Sequence, residues 1–63
     1  MLAKYNAMLK EEYGKDITVE IKSYIEDDDT VWYCFTTMRY GSNDGFASLE
    51  EAYKAAKWYL NSL

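Results

Sequence analysis

The chain contains one cysteine and no histidine, so neither an internal disulfide nor a Cys/His metal site can hold its fold together. Its 63 residues allow one domain, which we assign to 1–63. A domain of this size buries roughly 60% of the surface that its unfolded chain exposes, so its stability depends on apolar packing. Seven tyrosines, two tryptophans and two phenylalanines supply apolar area and also favour interfaces.

The same composition indicates where the protein works. A lone cysteine is typical of a reducing compartment. No charged segment followed by an apolar one opens the chain, and no apolar run approaches the roughly 18 residues of a membrane span. Because the chain also begins with Met1, we expect a complete, short, cytoplasmic gene product without a membrane partner.

The net charge of −4 comes from one place in the sequence. Four acidic residues follow one another: Glu26, Asp27, Asp28 and Asp29. The remaining seven acidic and seven basic residues cancel. A nucleic-acid duplex repels such a chain, because binding it normally requires Lys and Arg to displace counterions. We expect the acidic run to contact a basic patch on a protein partner; the alternative is a solvated hairpin tip that prevents aggregation.

Apolar spacing predicts a helix at each end of the chain. The first covers residues 2–13 and ends before Gly14, since glycine tolerates the positive φ of a helix C-terminus. The second follows Ser48, which forms a capping box with Glu51. Its apolar stripe leaves Trp58 on the face turned away from the core. The stripe consists of Leu49, Ala52, Tyr53, Ala56, Leu60 and Leu63.

Three strands are predicted between the helices. Alternation over 17–25 indicates a strand with one buried face, and the acidic run then forms the tip of a hairpin. Residues 30–40 are rich in β-branched and aromatic types and form the second strand. Residues 41–45 have the composition of a turn, before a short third strand that ends at 46–47. We therefore predict an α+β fold in the order α-β-β-β-α, with a three-stranded antiparallel sheet and both helices packed on one face.

The length of the first hairpin loop decides which face of the second strand meets the core, because both of its faces are apolar. We expect a loop of two or four residues, which places Trp32, Cys34 and Met38 on the core side together with the isoleucines of the first strand. A three-residue loop would exchange the two faces.

With the even-numbered loop, Tyr24, Tyr33 and Phe35 lie together on the outer sheet face, with Arg39 beside them. An exposed apolar patch usually marks a contact, and an arginine can join it as a hot-spot cation. Trp58 is a further candidate anchor, or else a partly covered surface residue. A different register, or a homodimer that buries the patch, is the alternative.

The sequence offers no set of residues typical of a catalytic site. Cys34 has no histidine to activate it as a nucleophile. Glu50 and Glu51 are adjacent on a helix, so their side chains diverge. No glycine-rich phosphate loop is present. We expect a protein that is not an enzyme and that uses no cofactor or metal.

The order of elements resembles the double-stranded RNA-binding domain. Residues 48–63 carry the resemblance, because Ser48, Ala52, Ala56, Leu60 and Leu63 follow the spacing of that family's last helix. It implies the same fold, and nucleic-acid binding as an alternative function. That family has lysines after the serine and a histidine in its first hairpin loop, whereas here Leu49, Glu50 and Glu51 and the acidic run occupy those places.

In style, this small, acidic, histidine-free and aromatic-rich chain resembles phage-encoded inhibitors of host defence, including anti-CRISPR proteins. That resemblance implies an inhibitor that binds a host protein complex in the host cytoplasm. The sequence therefore predicts a protein-binding module that acts through its acidic tip and an aromatic sheet face. The alternatives are a nucleic-acid-binding domain, which could stack single strands on the same aromatic residues, and a structural homodimer.

Overall fold

A computed structural model, which describes residues 1–37 and 41–62, contains two helices and a three-stranded sheet. The elements are α1 (Leu2–Tyr13), β1 (Glu20–Ile25), β2 (Val31–Thr37), β3 (Gly41–Phe46) and α2 (Leu49–Asn61). The strands form one antiparallel sheet in the order β1-β2-β3. The predicted α-β-β-β-α fold is confirmed.

The core lies between the helices and one face of the sheet. Ile21 and Phe35 face each other across β1 and β2, and both are almost completely buried. Leu9 of α1 and the alanines Ala52 and Ala56 of α2 cover them. Because these three helix residues bury their side chains in the same cluster as Ile21 and Phe35, both helices lie on one face of the sheet.

The two helices run side by side in the same direction. Tyr5 packs against Tyr53, with ring centroids 4.9 Å apart, near the start of each helix. Near their ends, the Tyr13 hydroxyl donates a 2.8 Å hydrogen bond to Oδ1 of Asn61. Tyrosines therefore join the helices at both ends of their contact.

The predicted helix ends are confirmed. Gly14 follows α1 with φ of 109°, a conformation that disfavours L side chains. At α2, the Ser48 hydroxyl accepts a 3.1 Å hydrogen bond from the backbone N–H of Glu51. The Glu51 carboxylate accepts in turn from the N–H of Ala47, one residue earlier than in the usual capping box.

The prediction of an even-numbered loop in the first hairpin is wrong. Ile21 lies opposite Phe35 and Ser23 opposite Tyr33, so the odd-numbered residues of β2 face the core. Trp32 and Cys34 therefore lie on the outer face and not on the core side, where the even-numbered loop would place them. Met38, which the prediction also placed in the core, falls outside the described residues.

A three-residue turn at Asp27–Asp29 sets this register. The N–H of Asp29 donates to the carbonyl of Glu26 at 3.0 Å, and the N–H of Glu26 donates to the carbonyl of Thr30, also at 3.0 Å. Asp29 has φ of 65°, in the left-handed region. A type I turn followed by a left-handed residue is the usual three-residue hairpin loop. One residue more or less would turn every side chain of β2 to the opposite face.

The third strand also differs from the prediction. Residues 41–45 are not a turn but most of β3, and the connection from β2 falls on residues 38–40, outside the described part. Phe35 pairs with Asn43 and Tyr33 with Phe46, so β3 has one residue more than β2 between these pairs. The extra residue forms a bulge, in which Gly45 takes φ of 89°. The bulge explains the glycine at position 45 within a strand.

Asn6 of α1 occupies part of the open edge of β1. Its Nδ2 donates to the carbonyl of Ile21 at 3.0 Å, and its Oδ1 accepts from the N–H of the same residue at 2.8 Å. One side-chain amide thus makes both bonds that a neighbouring strand would make at this position. The pair fixes α1 to the sheet independently of the apolar core.

We expect Asn6→Ala to lower the free energy of unfolding by about 1 kcal/mol, since two hydrogen bonds are lost and the helix propensity of alanine offsets part of that loss. Urea denaturation followed by circular dichroism measures the change. Lys4→Ala, at an exposed position on the same helix, is the control and should have little effect. Equal losses in the two variants would contradict a role for Asn6 in holding β1.

We expect Asp29→Gly to raise the free energy of unfolding by about 0.5 kcal/mol, because glycine adopts the left-handed conformation without steric cost. Asp27→Gly removes the same charge at a position without positive φ, and it should therefore stabilise the protein less than Asp29→Gly does. Thermal denaturation of the two variants side by side gives the comparison. Equal midpoints would show that the conformation of Asp29 is not the source of the effect.

Candidate binding site at the hairpin tip

The acidic run lies where the sequence predicted, at the exposed tip of the β1–β2 hairpin. Tyr24, before it, is half-buried on the outer sheet face. Its hydroxyl accepts a 3.1 Å hydrogen bond from the N–H of Gly45, so the side chain reaches across β2 to the bulge of β3. Tyr24 therefore has a structural role on the face that no helix covers.

The predicted aromatic patch of Tyr24, Tyr33 and Phe35 does not form, because the observed register separates its members. Phe35 is 1% exposed, and its ring packs 6.0 Å from that of Phe46. Tyr33 is half-buried and packs against the same core. Arg39, the predicted cation of this patch, lies outside the described residues.

Trp58 is 73% exposed on the face of α2 that is turned away from the core, as predicted. Lys54, a possible neighbour on this face, lies 4.0 Å from Glu50 in an exposed ion pair. Trp58 is not among the residues that surround the acidic tip. The structure thus keeps these two candidate contacts apart.

Trp32 is the aromatic residue that lies beside the acidic run. Its indole Nε1 donates a 2.8 Å hydrogen bond to the Thr30 hydroxyl, which donates a 2.6 Å bond to Oδ1 of Asp28. The N–H of Thr30 also donates to Oδ1 of Asp28, at 3.2 Å. This chain of bonds holds an indole and a carboxylate in a fixed relation at the tip.

A shallow depression of about 370 Å³ lies between the turn and the indole. It is lined by Glu26, Asp27, Asp28, Thr30 and Trp32. The carboxylates attract a cation, and an indole face provides both an apolar surface and a favourable cation–π contact. The depression therefore has the chemistry to receive a Lys or Arg side chain, whose alkyl part packs on aromatic rings.

The pKa of the Asp28 carboxyl lies below its usual value of 3.8. The larger cause is the hydrogen bond from the Thr30 hydroxyl, and the N–H of Thr30 adds to it. Both donors favour the charged form. Asp28 thus keeps its negative charge to a lower pH than an aspartate without these donors.

Trp32 is not among the predicted site residues, because an even-numbered loop would place it in the core. Two signals in the turn point to the observed register. Aspartate tolerates the left-handed conformation better than most residues, which suits Asp29 to the last position of a three-residue loop. Asp28 and Thr30 have the two-residue spacing at which an aspartate side chain accepts a hydrogen bond from the backbone.

Cys34 is a half-buried free thiol on the outer sheet face. Within residues 1–37 and 41–62, no three His, Cys, Asp or Glu side chains are grouped so that they could hold a metal ion. None of the helices in that part of the chain is long and apolar enough to cross a membrane.

No protein-family model, curated protein or solved structure matches this chain.

We expect Thr30→Val to raise the pKa of Asp28 towards its usual value, since the variant lacks the hydroxyl that donates to the carboxylate. Thr30→Ser keeps that donor and should keep the pKa low. A carboxyl-detected NMR titration measures both, and the indole N–H signal of Trp32 should shift in the valine variant alone. Equal Asp28 pKa values in the two variants would contradict the bond.

The pH dependence of stability follows from the direction of this shift. A carboxyl whose pKa is lower in the folded chain stabilises the fold above its unfolded pKa, and this contribution is lost as the pH falls through the folded pKa. Below about pH 4, the free energy of unfolding should therefore fall more steeply in the parent protein than in Thr30→Val.

Proposed function

We propose that this protein is a non-catalytic binding module that recognises a basic patch on a partner protein through the tip of its β1–β2 hairpin. The observation that carries the proposal is the hydrogen-bonded chain from Trp32 through Thr30 to Asp28, which borders an acidic depression. A mere solubilising tip needs acidic residues but does not need a tryptophan bonded in place beside them.

The hydrogen bonds that fix the conformation of the tip favour specific recognition of a partner over a general electrostatic attraction. The turn makes two backbone hydrogen bonds, and Asp28 accepts two more from Thr30. A partner cation therefore meets groups that are already placed, which reduces the entropy lost on binding. Tryptophan is enriched among the hot spots of interfaces, and Trp32 lies at the border of the depression.

The charge of the outer sheet face and of the start of α2 favours a protein partner over a nucleic acid at these places. On the outer sheet face, Lys22 is the cation of the described strands, and it lies 3.8 Å from Glu20 in an exposed ion pair. Glu50 and Glu51 occupy the first turn of α2. Binding to phosphates normally depends on unpaired Lys and Arg at such places.

A host defence complex is one class of partner that fits the proposal. RNA-guided complexes of this class hold nucleic acid in a positively charged channel, and an acidic tip can bind there in place of phosphate. The proposal then makes the protein an inhibitor that competes with nucleic acid for a basic surface. The hairpin tip is the contact in this case as well.

Titration of the isotope-labelled protein with an arginine-rich peptide tests the proposal. We expect chemical-shift changes concentrated at residues 26–32, including the indole N–H of Trp32. Asp27→Asn combined with Asp28→Asn should weaken binding about tenfold, because charge-assisted contacts are lost while the asparagine oxygen can still accept from Thr30.

The matched control is Glu11→Gln combined with Asp16→Asn, which removes the same charge from exposed positions elsewhere. The two double variants have the same net charge, so a general attraction would weaken equally in both. Equal weakening, or shift changes spread over all acidic residues, would contradict a site at the tip. Affinity capture from host lysate with the parent protein and the tip variant then identifies the natural partner.

A further inference from the structure

The edge of β1 is only partly covered. Glu26 bonds to Thr30, so the even-numbered residues of β1 make the hydrogen bonds to β2, and the odd-numbered ones direct their N–H and C=O groups away from the sheet. Asn6 satisfies Ile21. Within the described residues, no comparable side chain bonds to Ser23 or Ile25, and both are exposed.

Exposed apolar side chains lie beside this open edge. The alternation over 17–25 predicts that Ile25 is buried, but it is 69% exposed, and Val31 opposite it is 49% exposed. Both lie on the helix side of the sheet, where the hairpin extends past the core. An open edge next to apolar side chains is a template for another strand.

We propose that β1 pairs antiparallel with β1 of a second copy of this chain, with Ser23 of each copy opposite Ile25 of the other. Pairing is restricted to this short segment on both sides. Asn6 blocks registers that need Ile21, and the strand ends in the turn that follows Glu26. The pairing has twofold symmetry about Tyr24, so one sheet of six strands results.

Charge complementarity supports the second copy as the occupant. In this register Lys22 of one copy lies directly opposite Glu26 of the other, and the symmetry repeats the pair. Opposite charges at directly paired positions stabilise an antiparallel pair, and like charges destabilise it. The register that pairs both open residues, Ser23 and Ile25, without using Ile21 is thus also the register that places Lys22 opposite Glu26.

The interface is short, so the dimer should be weak and its population should depend on protein concentration. Its backbone hydrogen bonds give a direct signal. The N–H groups of Ser23 and Ile25 exchange with solvent in the monomer and become protected in the dimer. Sedimentation equilibrium and hydrogen exchange by NMR over a concentration series measure the two effects on the full chain.

Charge exchange tests the register. Lys22→Glu and Glu26→Lys should each weaken dimerisation about tenfold, because two like-charged pairs replace two opposite ones. The double variant, Lys22→Glu with Glu26→Lys, should restore the parent affinity. Within one chain these residues pair with Cys34 and Thr30 instead of with each other, so the rescue arises between copies.

Circular dichroism shows whether each variant is folded. A protein that remains monomeric up to about 1 mM, with unprotected Ser23 and Ile25 amides, would overturn the proposal. So would a dimer that is indifferent to the charge exchange, because another surface or register would then hold it. Glu26 also lines the tip depression, so binding of a cation at the tip is tested separately, by the asparagine variants at Asp27 and Asp28, which leave Lys22 and Glu26 unchanged.

Discussion

The hydrogen bonds of the turn at Asp27–Asp29 determine the rest of this structure. They close the hairpin with three residues, and side chains alternate along a strand, so this odd number decides which side of β2 faces the helices. Phe35 then meets Ile21 in the centre of the core, and Trp32 lies outside. In a domain of 63 residues, without a disulfide, the burial of one phenylalanine is a large part of the stability.

The same turn links stability to the proposed function. Four adjacent carboxylates repel one another, and a left-handed aspartate adds a steric cost. Hydrogen bonds to the backbone and from Thr30 offset these costs, and the bonded Thr30 then holds the indole of Trp32. The groups that keep the tip in one conformation are thus the groups that would present it to a cation. Removing negative charge should therefore relieve repulsion while it weakens binding, as is common at functional sites.

The features that depend only on neighbouring residues could be predicted from the sequence. Helix periodicity, Gly14 and the Ser48 cap depend on neighbouring residues, and all of them lie as predicted. The register of β2 depends on a single residue in the turn, and a strand that is apolar on both faces gives no pattern to choose between them. The composition of residues 41–45 predicts a turn, but these residues form a strand in which Gly45 takes the positive φ of a bulge. The candidate site was therefore predicted only in part. The acidic tip lies as predicted, but Trp32 was not expected beside it, because its position depends on the register of β2.

Cross-strand NMR contacts in the first hairpin test the central claim most directly. In an antiparallel pair, the α-protons of residues that do not exchange backbone hydrogen bonds lie close together. The structure predicts strong α-proton contacts between Ile21 and Phe35 and between Ser23 and Tyr33. Contacts from Ile21 to Cys34 would instead mean an even-numbered loop, with Phe35 outside and Trp32 in the core, and would contradict both the fold and the site described above.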